Sequence, residues 1–270
     1  MNTVSFMGAN LVAQQLDWAM TEGWSQGAAA ANDHYRPIAT FQERFGSFVQ
    51  LAVDAGFSNV DVWTGQLNWT WATAEHFAAA RSVLDELGVK VTSYAGSFGE
   101  TPEEFGAAAS VAVALGAPIL SGTSALLNTG RDALIRELTS AGLVFAIENH
   151  PEKTPAEMIA KIGDGAGGML GTAVDTGWWA TQGYDAADAI RSLGAHLVHV
   201  HLKDIRAAGA HDTCALGDGI ANIESCVEAM REAGFSGPIS IEHEPEHYDP
   251  MPEVIMSRQR LAGWLDTSRR

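Results

Sequence analysis

Short apolar runs typical of β-strands recur eight times along the 270-residue chain, and longer helical stretches separate most of them. This alternation predicts a parallel sheet covered by helices, because the chain needs a crossover between parallel strands. The eight predicted strands cover residues 4–7, 60–63, 89–93, 118–120, 143–147, 172–174, 197–200 and 238–241.

Glycines mark the ends of the helical stretches. A glycine just after the last turn adopts a left-handed conformation in which a side chain would be strained. On this basis the predicted helices cover residues 48–55, 74–87, 102–115, 131–141 and 223–233. A doubly wound sheet would need a G-x-G-x-x-G phosphate-binding turn after an early strand, and no such turn follows the early predicted strands. With a length near the usual ~250 residues, the chain is predicted to form one α/β domain, a closed (β/α)₈ TIM barrel spanning residues 1–270.

One connection, residues 8–47, is much longer than the others. It carries several aromatic residues, among them Trp18, Trp24 and Tyr35. A long loop in this position is typical of a lid or binding wall over the barrel mouth. The alternative is a surface excursion with a small core of its own.

Each of the last four predicted strands runs into a potential metal ligand: Glu148, Asp175, His201 and Glu242. The carboxyl ends of barrel strands converge on the mouth where active sites of this fold lie. Three carboxylates and an imidazole brought together would repel one another without a cation between them. Such an oxygen-rich set predicts one divalent metal ion, with Mn²⁺ favoured and Mg²⁺, Co²⁺, Fe²⁺ or Zn²⁺ as alternatives.

The sequence around these residues carries a family resemblance. The motifs are I-E-N-H at 147–150, V-D-T-G at 174–177, H-V-H-L-K-D at 199–204, L-G-D-G at 216–219 and S-I-E-H-E at 240–244. They resemble the xylose isomerase-like TIM-barrel superfamily, and within it the sugar phosphate isomerase/epimerase-like branch. That branch includes ketose 3-epimerases, inosose dehydratases and isomerases, and the metal subunit of enzymes that cleave 3-oxo-glycosides.

The resemblance implies that the four ligands hold the metal and that Glu148 and Glu242 flank the substrate carbon. One departure concerns the position after the Asp-x-Gly of the sixth strand. Many relatives carry a histidine there, whereas this chain has Trp178 and Trp179. A tryptophan offers a stacking face for a sugar or an aromatic group, so the choice between epimerase and isomerase chemistry stays open.

The ligand set indicates enediolate chemistry, in which a divalent cation stabilises the anion formed when a base removes the proton next to a carbonyl. The candidate bases are Glu148, Glu242 and His150, and His150 can instead orient a ligand. Lys203 can steady the oxyanion or form a salt bridge with Asp204 or another acid. Reprotonation of the enediolate gives an epimer or an isomer, and loss of a neighbouring group gives elimination.

The predicted substrate is a neutral keto sugar or a 3-oxo-glycoside, with an inosose dehydratase or isomerase as the alternative function. The site loops are rich in tryptophan, the loops after strands seven and eight lack a glycine-rich phosphate cradle, and residues 243–249 are acidic. The predicted substrate contacts are Trp63, Trp178, Lys203, Arg206 and His211. Trp63 can instead fill the core.

Charge argues against nucleic-acid partners. The chain has 16 Lys and Arg against 33 Asp and Glu, a net charge of −17, and such a field repels polyanions. No Lys/Arg cluster precedes Arg269–Arg270. An abasic-site endonuclease, a second class in the same superfamily, is therefore disfavoured. The intact ligand set disfavours a non-catalytic barrel subunit.

Other features concern compartment and assembly. No apolar run approaches the ~18 residues of a membrane span, and the N-terminal residues lack a secretory pattern. Two cysteines, Cys214 and Cys226, are too few for a disulfide scaffold. We therefore expect a cytoplasmic protein that acts on a small carbohydrate or glycoside. A homo-oligomer or a small accessory subunit is compatible with the sequence.

Overall fold

Eight parallel strands close into a barrel in the computed structural model, which describes residues 2–266. Each strand pairs with its neighbours along the chain, and the first strand pairs with both the second and the eighth. This confirms the predicted TIM barrel; Arg269–Arg270 lie outside the described residues. The barrel strands are β1 (Val4–Met7), β2 (Asn59–Trp63), β3 (Lys90–Ser97), β4 (Ile119–Thr123), β5 (Val144–Glu148), β6 (Leu170–Asp175), β7 (Leu197–Leu202) and β8 (Ile239–Ile241).

The helices surround the barrel, and several end where the glycines predict. Gly88, Gly116 and Gly142 follow three of them in the left-handed conformation, with φ of 65°, 71° and 68°. The helices are α1 (Trp24–Tyr35), α2 (Ile38–Asp54), α3 (Ala74–Leu87), α4 (Pro102–Leu115), α5 (Leu126–Thr129), α6 (Arg131–Ala141), α7 (Pro155–Ile162), α8 (Thr176–Thr181), α9 (Ala186–Leu193), α10 (Ile223–Glu232) and α11 (Met251–Leu265). Within the described part of the chain, every helix is too short or too polar to span a bilayer.

The segment 8–47, predicted as a long lid-like loop after the first strand, is largely helical. Two short 3₁₀ helices, Gly8–Leu11 and Gln14–Leu16, precede α1. Helix α2 begins at Ile38 rather than at residue 48. Its buried face continues upstream of the predicted start, because Phe41 and Phe45 precede Phe48 at helical spacing and are equally buried.

The barrel interior below the mouth is polar. TIM-barrel interiors are usually filled by bulky branched residues, yet here the fully buried side chains of Asp61 on β2 and His199 on β7 form a hydrogen bond of 2.8 Å across the barrel. Ser5 on β1 donates to the same carboxylate at 3.0 Å. The register places Ser93 beside Asp61 and Ser240 beside Ser5. The apolar core lies instead between the strands and the helices.

Gly122 on β4 lies where the backbones of β3 and β4 approach each other too closely for a side chain to fit. Its φ is +144°, and a Cβ there would lie 1.9 Å from the carbonyl oxygen of Gly96. We expect Gly122→Ala to lower the free energy of unfolding by about 3 kcal/mol or more, since the clash is with backbone and the conformation disfavours a side chain.

The matched control is Gly46→Ala in α2, where the nearest atom to the new Cβ would be a Val83 methyl group at 3.8 Å. This variant should be unchanged or about 1 kcal/mol more stable, because alanine favours a helix over glycine. Urea denaturation measures both free energies. Equal stability of the two variants would contradict this account of the β3–β4 contact.

Candidate active site

The four predicted metal ligands meet at the mouth of the barrel. One ligand atom from each of Glu148, Asp175, His201 and Glu242 lies within 4.8 Å of the ligand atoms of the other three. Glu148 and Asp175 are the last residues of β5 and β6, His201 lies near the end of β7, and Glu242 directly follows β8. All four are buried or nearly so.

His201 lies between the two glutamates. Its Nδ1 is 3.0 Å from Glu148 Oε1 and 3.1 Å from Glu242 Oε2. Burial acts to lower the pKa of His201, but its contacts with these two carboxylates raise it well above the usual value. Burial likewise opposes ionisation of Glu242, yet Lys203 and His201 hold its pKa well below the ordinary range.

Lys203 is a fifth charged group of the site, and Glu244 is a sixth that the sequence analysis did not identify. The ammonium group lies 2.8 Å from Glu242, 2.9 Å from Glu244 and 3.1 Å from Asp175. These carboxylates raise the pKa of Lys203 well above its usual value, although burial opposes them.

Burial raises the pKa of Glu244 well above its usual value, and the adjacent Glu242 adds to the effect. Glu244 is therefore the carboxyl group of this cluster most inclined to hold a proton.

The charges and free ligand atoms of the cluster fit a divalent cation. Four carboxylates face two cationic groups, Lys203 and protonated His201, so two negative charges are uncompensated when all are ionised. Asp175 Oδ2 and Glu242 Oε2 are buried and lie 3.1 Å from Lys203 Nζ and His201 Nδ1, respectively, but neither oxygen accepts a well-aligned hydrogen bond from residues 2–266. A buried carboxylate oxygen without such a partner is costly, and a cation with oxygen ligands would satisfy both atoms.

Buried polar side chains fix the backbone on which these groups stand. Asn149 accepts a hydrogen bond from the backbone N–H of Asp175 at 2.7 Å and donates to the carbonyl of the same residue at 3.1 Å. Asn10 donates to the carbonyl before Glu242 at 3.1 Å and accepts from the N–H after it at 2.9 Å. Thr176 bonds in the same way to both backbone groups of Lys203. Where the strands end, these side chains therefore supply the hydrogen bonds that neighbouring strands would otherwise make to the backbone.

Asp204 organises the loop after β7. The alternative in which it pairs with Lys203 is wrong: the carboxylate is fully buried and accepts four backbone hydrogen bonds of 2.8–3.0 Å instead. The donors are Ile205, Gly217, Gly219 and Ala221. Three residues of this loop, Ile205, His211 and Thr213, line the cavity above the charged cluster.

A cavity of about 740 Å³ opens above the cluster. The charged groups form one end. The β1–β3 side is mainly apolar and carries Met7, Trp63 and Ala95, which belong to a hydrophobic cluster separate from the main core. Trp24 at the start of α1 also lines this side, 41% exposed and in edge contact with Trp63 at 5.4 Å.

Three aromatic side chains form the opposite wall. Trp178 lies between His150, at a ring distance of 4.0 Å, and His211, at 4.5 Å. All three line the cavity. His150 Nδ1 is 3.9 Å from Glu148 Oε2, and its Nε2 is buried without a hydrogen-bond partner among the described residues.

Of the predicted substrate contacts, Trp63, Trp178, Lys203 and His211 line the cavity and Arg206 does not. The Arg206 side chain is directed instead to Asp212, at 3.4 Å, and to Tyr248. Three other tryptophans of the predicted aromatic loops, Trp18, Trp69 and Trp71, also lie outside the cavity lining and pack against the core. Trp24 is therefore the tryptophan of the 8–47 segment that reaches the cavity.

The sequence pattern that defines the family described as "Xylose isomerase-like TIM barrel" matches residues 49–266. This chain belongs to that family.

One curated relative of this xylose isomerase-like chain is L-ribulose-5-phosphate 3-epimerase of Shigella boydii. It is 36% identical over 64 residues, so the match spans 23% of this chain and only 22% of that enzyme's length. A D-allulose 3-epimerase from Methylomonas sp., solved with D-allulose, has a TM-score of 0.69 at 15% identity, covering 98% of this chain and 97% of that one. A xylose isomerase-like TIM barrel protein from Mycobacterium smegmatis, solved with magnesium, has a TM-score of 0.65 at 16% identity, covering 85% and 89%. The two structures show the shared fold.

The Asp204 carboxylate yields a prediction about loop stability. Asp204→Ala would leave four backbone N–H groups without their acceptor, so we expect a loss of about 3 kcal/mol or more in the free energy of unfolding. Urea denaturation measures the loss, and limited proteolysis should show faster cleavage within residues 206–212.

Asp212→Ala is the matched control in the same loop. Asp212 forms an exposed ion pair with Arg206, and such pairs contribute roughly 0–1 kcal/mol. If the Asp204 and Asp212 variants were equally stable and equally resistant to protease, Asp204 would not be the anchor of this loop.

Proposed function

We propose that this protein is a divalent-metal-dependent sugar isomerase, epimerase or lyase that acts through an enediolate on a neutral keto sugar or a 3-oxo-glycoside. The observation that carries the proposal is the convergence of Glu148, Asp175, His201 and Glu242 at one end of a large, partly aromatic cavity. The alternative is an inosose dehydratase or isomerase, which would use the same groups.

The metal is proposed to bind to these four side chains, with Mn²⁺ as the favoured ion. The magnesium in the Mycobacterium smegmatis structure supports a divalent ion in this fold family. When bound, a divalent cation polarises a carbonyl and stabilises the negative charge that develops on its oxygen.

His150 is the favoured base among the three candidates. Glu148 and Glu242 both contact His201, and both have a lowered pKa, so neither is disposed to take up a proton. His150 Nε2 lacks a partner within residues 2–266 and belongs to a cavity-lining side chain. Nε2 itself is buried, so the ring would rotate to bring this nitrogen to the cavity, where it can accept the proton next to the substrate carbonyl.

Lys203 is proposed to hold the developing oxyanion. Three carboxylates surround its ammonium group and raise its pKa, so it stays charged while it lines the cavity. A fixed positive charge in a buried site stabilises a developing negative charge without having to reorganise.

Cavity charge and size support a neutral substrate. Four glutamates line the cavity, whereas Lys203 is the one Lys or Arg among the described lining residues. That balance disfavours a phosphorylated sugar of the kind named for the Shigella boydii epimerase. A volume of about 740 Å³ falls in the range of sites for drug-sized ligands, which leaves room for an aglycone beside Trp24 and Trp63.

The proposed reaction predicts exchange of the proton next to the carbonyl. Ketohexoses, inososes and 3-oxo-glycosides would be incubated with the enzyme and Mn²⁺ in D₂O and followed by NMR. For the true substrate class we expect deuterium at one carbon next to the carbonyl and loss of turnover after EDTA dialysis. A released aglycone would identify elimination, and an epimer pair would identify epimerisation. Turnover with full retention of the original proton would overturn the enediolate proposal.

His150→Ala in the same assay tests the base. We expect kcat to fall by roughly 10²–10⁴-fold, the usual contribution of a positioned acid–base group, with Mn²⁺ affinity near that of wild type. His247→Ala is the control, since the side chain of His247 is 70% exposed and lies outside the cavity lining. Parallel loss of metal and activity would instead assign His150 to ligand orientation.

A further inference from the structure

We propose that Ser121 is a positioning residue that fixes the rotation of the His201 ring so that Nδ1 faces the metal, by accepting the proton on Nε2. The inference rests on the metal site of the proposed function. It concerns a residue of β4 that stands on the opposite side of the barrel from β7 and outside the cavity lining.

The two ring nitrogens of His201 have different partners. His201 Nδ1 is directed at Glu148 and Glu242, and Nε2 lies 2.9 Å from Ser121 Oγ. Both side chains are buried. A histidine that ligates through Nδ1 carries its remaining proton on Nε2, and the Ser121 hydroxyl is the group placed to accept it. Hydrogen bonds to the second ring nitrogen orient metal-binding histidines in general.

The neighbouring His199 ring packs against the His201 ring. The two rings are nearly perpendicular, at 83°, with centroids 4.8 Å apart. His199 is itself fixed by Asp61 at 2.8 Å and by the carbonyl of Pro238 at 3.0 Å. This contact limits tilting of the ring, while the hydrogen bond to Ser121 holds its Nε2 edge.

Two other serines provide matched comparisons. Ser93 and Ser240 are as deeply buried as Ser121, and their hydroxyl groups have no hydrogen-bond partner within the described chain. Replacing any of the three serines by alanine removes one buried oxygen from the barrel interior. Only the change at residue 121 removes a contact with a proposed ligand.

The experiment compares Ser121→Ala with Ser93→Ala and Ser240→Ala. Mn²⁺ affinity is measured from the free-ion EPR signal, and the metal-free melting temperature of each variant is measured separately. We expect Ser121→Ala to bind Mn²⁺ about 10–100-fold more weakly, the usual effect of losing such a partner, and both control variants to bind as wild type does. Wild-type affinity in Ser121→Ala, or an equal loss in a control, would overturn the inference.

A spectroscopic measurement on the wild-type protein keeps the inference testable if Ser121→Ala fails to fold. Long-range ¹H–¹⁵N spectra of the Mg²⁺-loaded protein should show the His201 ring protonated at Nε2 and ligated at Nδ1. Ligation at Nε2 would overturn the role of Ser121 while leaving the metal site intact. A wild-type protein that bound neither Mn²⁺ nor Mg²⁺ would overturn the proposed function itself.

Discussion

Repulsion among carboxylates at the mouth of the barrel is the constraint on which the site depends. Four acidic groups on or after β5, β6 and β8 are buried together, and Lys203 and His201 supply the nearest positive charges. Removing such charges from water is costly unless they are paired. Each group contacts at least one of the opposite sign, yet two carboxylate oxygens still lack a hydrogen bond from the described residues. The arrangement therefore favours a bound divalent cation, and the same field favours a neutral substrate.

Such a cluster needs a rigid support, and the chain provides it where the regular sheet ends. Asn10, Asn149 and Thr176 each bond to backbone groups at or beside a charged residue of the site. The Asp204 carboxylate accepts backbone hydrogen bonds from the following loop and so fixes its conformation. These contacts put the candidate ligands on rigid backbone, while α1 contributes Trp24 to the other side of the cavity.

Local sequence signals were enough to predict the barrel and the positions of its four candidate ligands. Apolar runs and terminal glycines act within a few residues, and the carboxyl ends of the strands must meet in a closed barrel. Contacts between distant segments left no such signal. Asn10 forms hydrogen bonds with the residues on either side of Glu242, which are 231 and 233 positions away in the sequence. Ser121 contacts His201, which is 80 positions away. Glu244 and Asp204 are both part of the quoted sequence motifs, so their positions were known. Only the folded structure shows that Glu244 contacts Lys203, whereas Asp204 binds backbone N–H groups of its own loop.

Anomalous diffraction at the manganese edge from crystals grown with Mn²⁺ tests the central claim most directly. The account predicts one strong peak within about 2.0–2.6 Å of ligand atoms from Glu148, Asp175, His201 and Glu242. The Lys203 ammonium should remain beside the carboxylates without coordinating the ion. Crystals of folded protein at saturating Mn²⁺ with no peak at these four side chains would contradict the account.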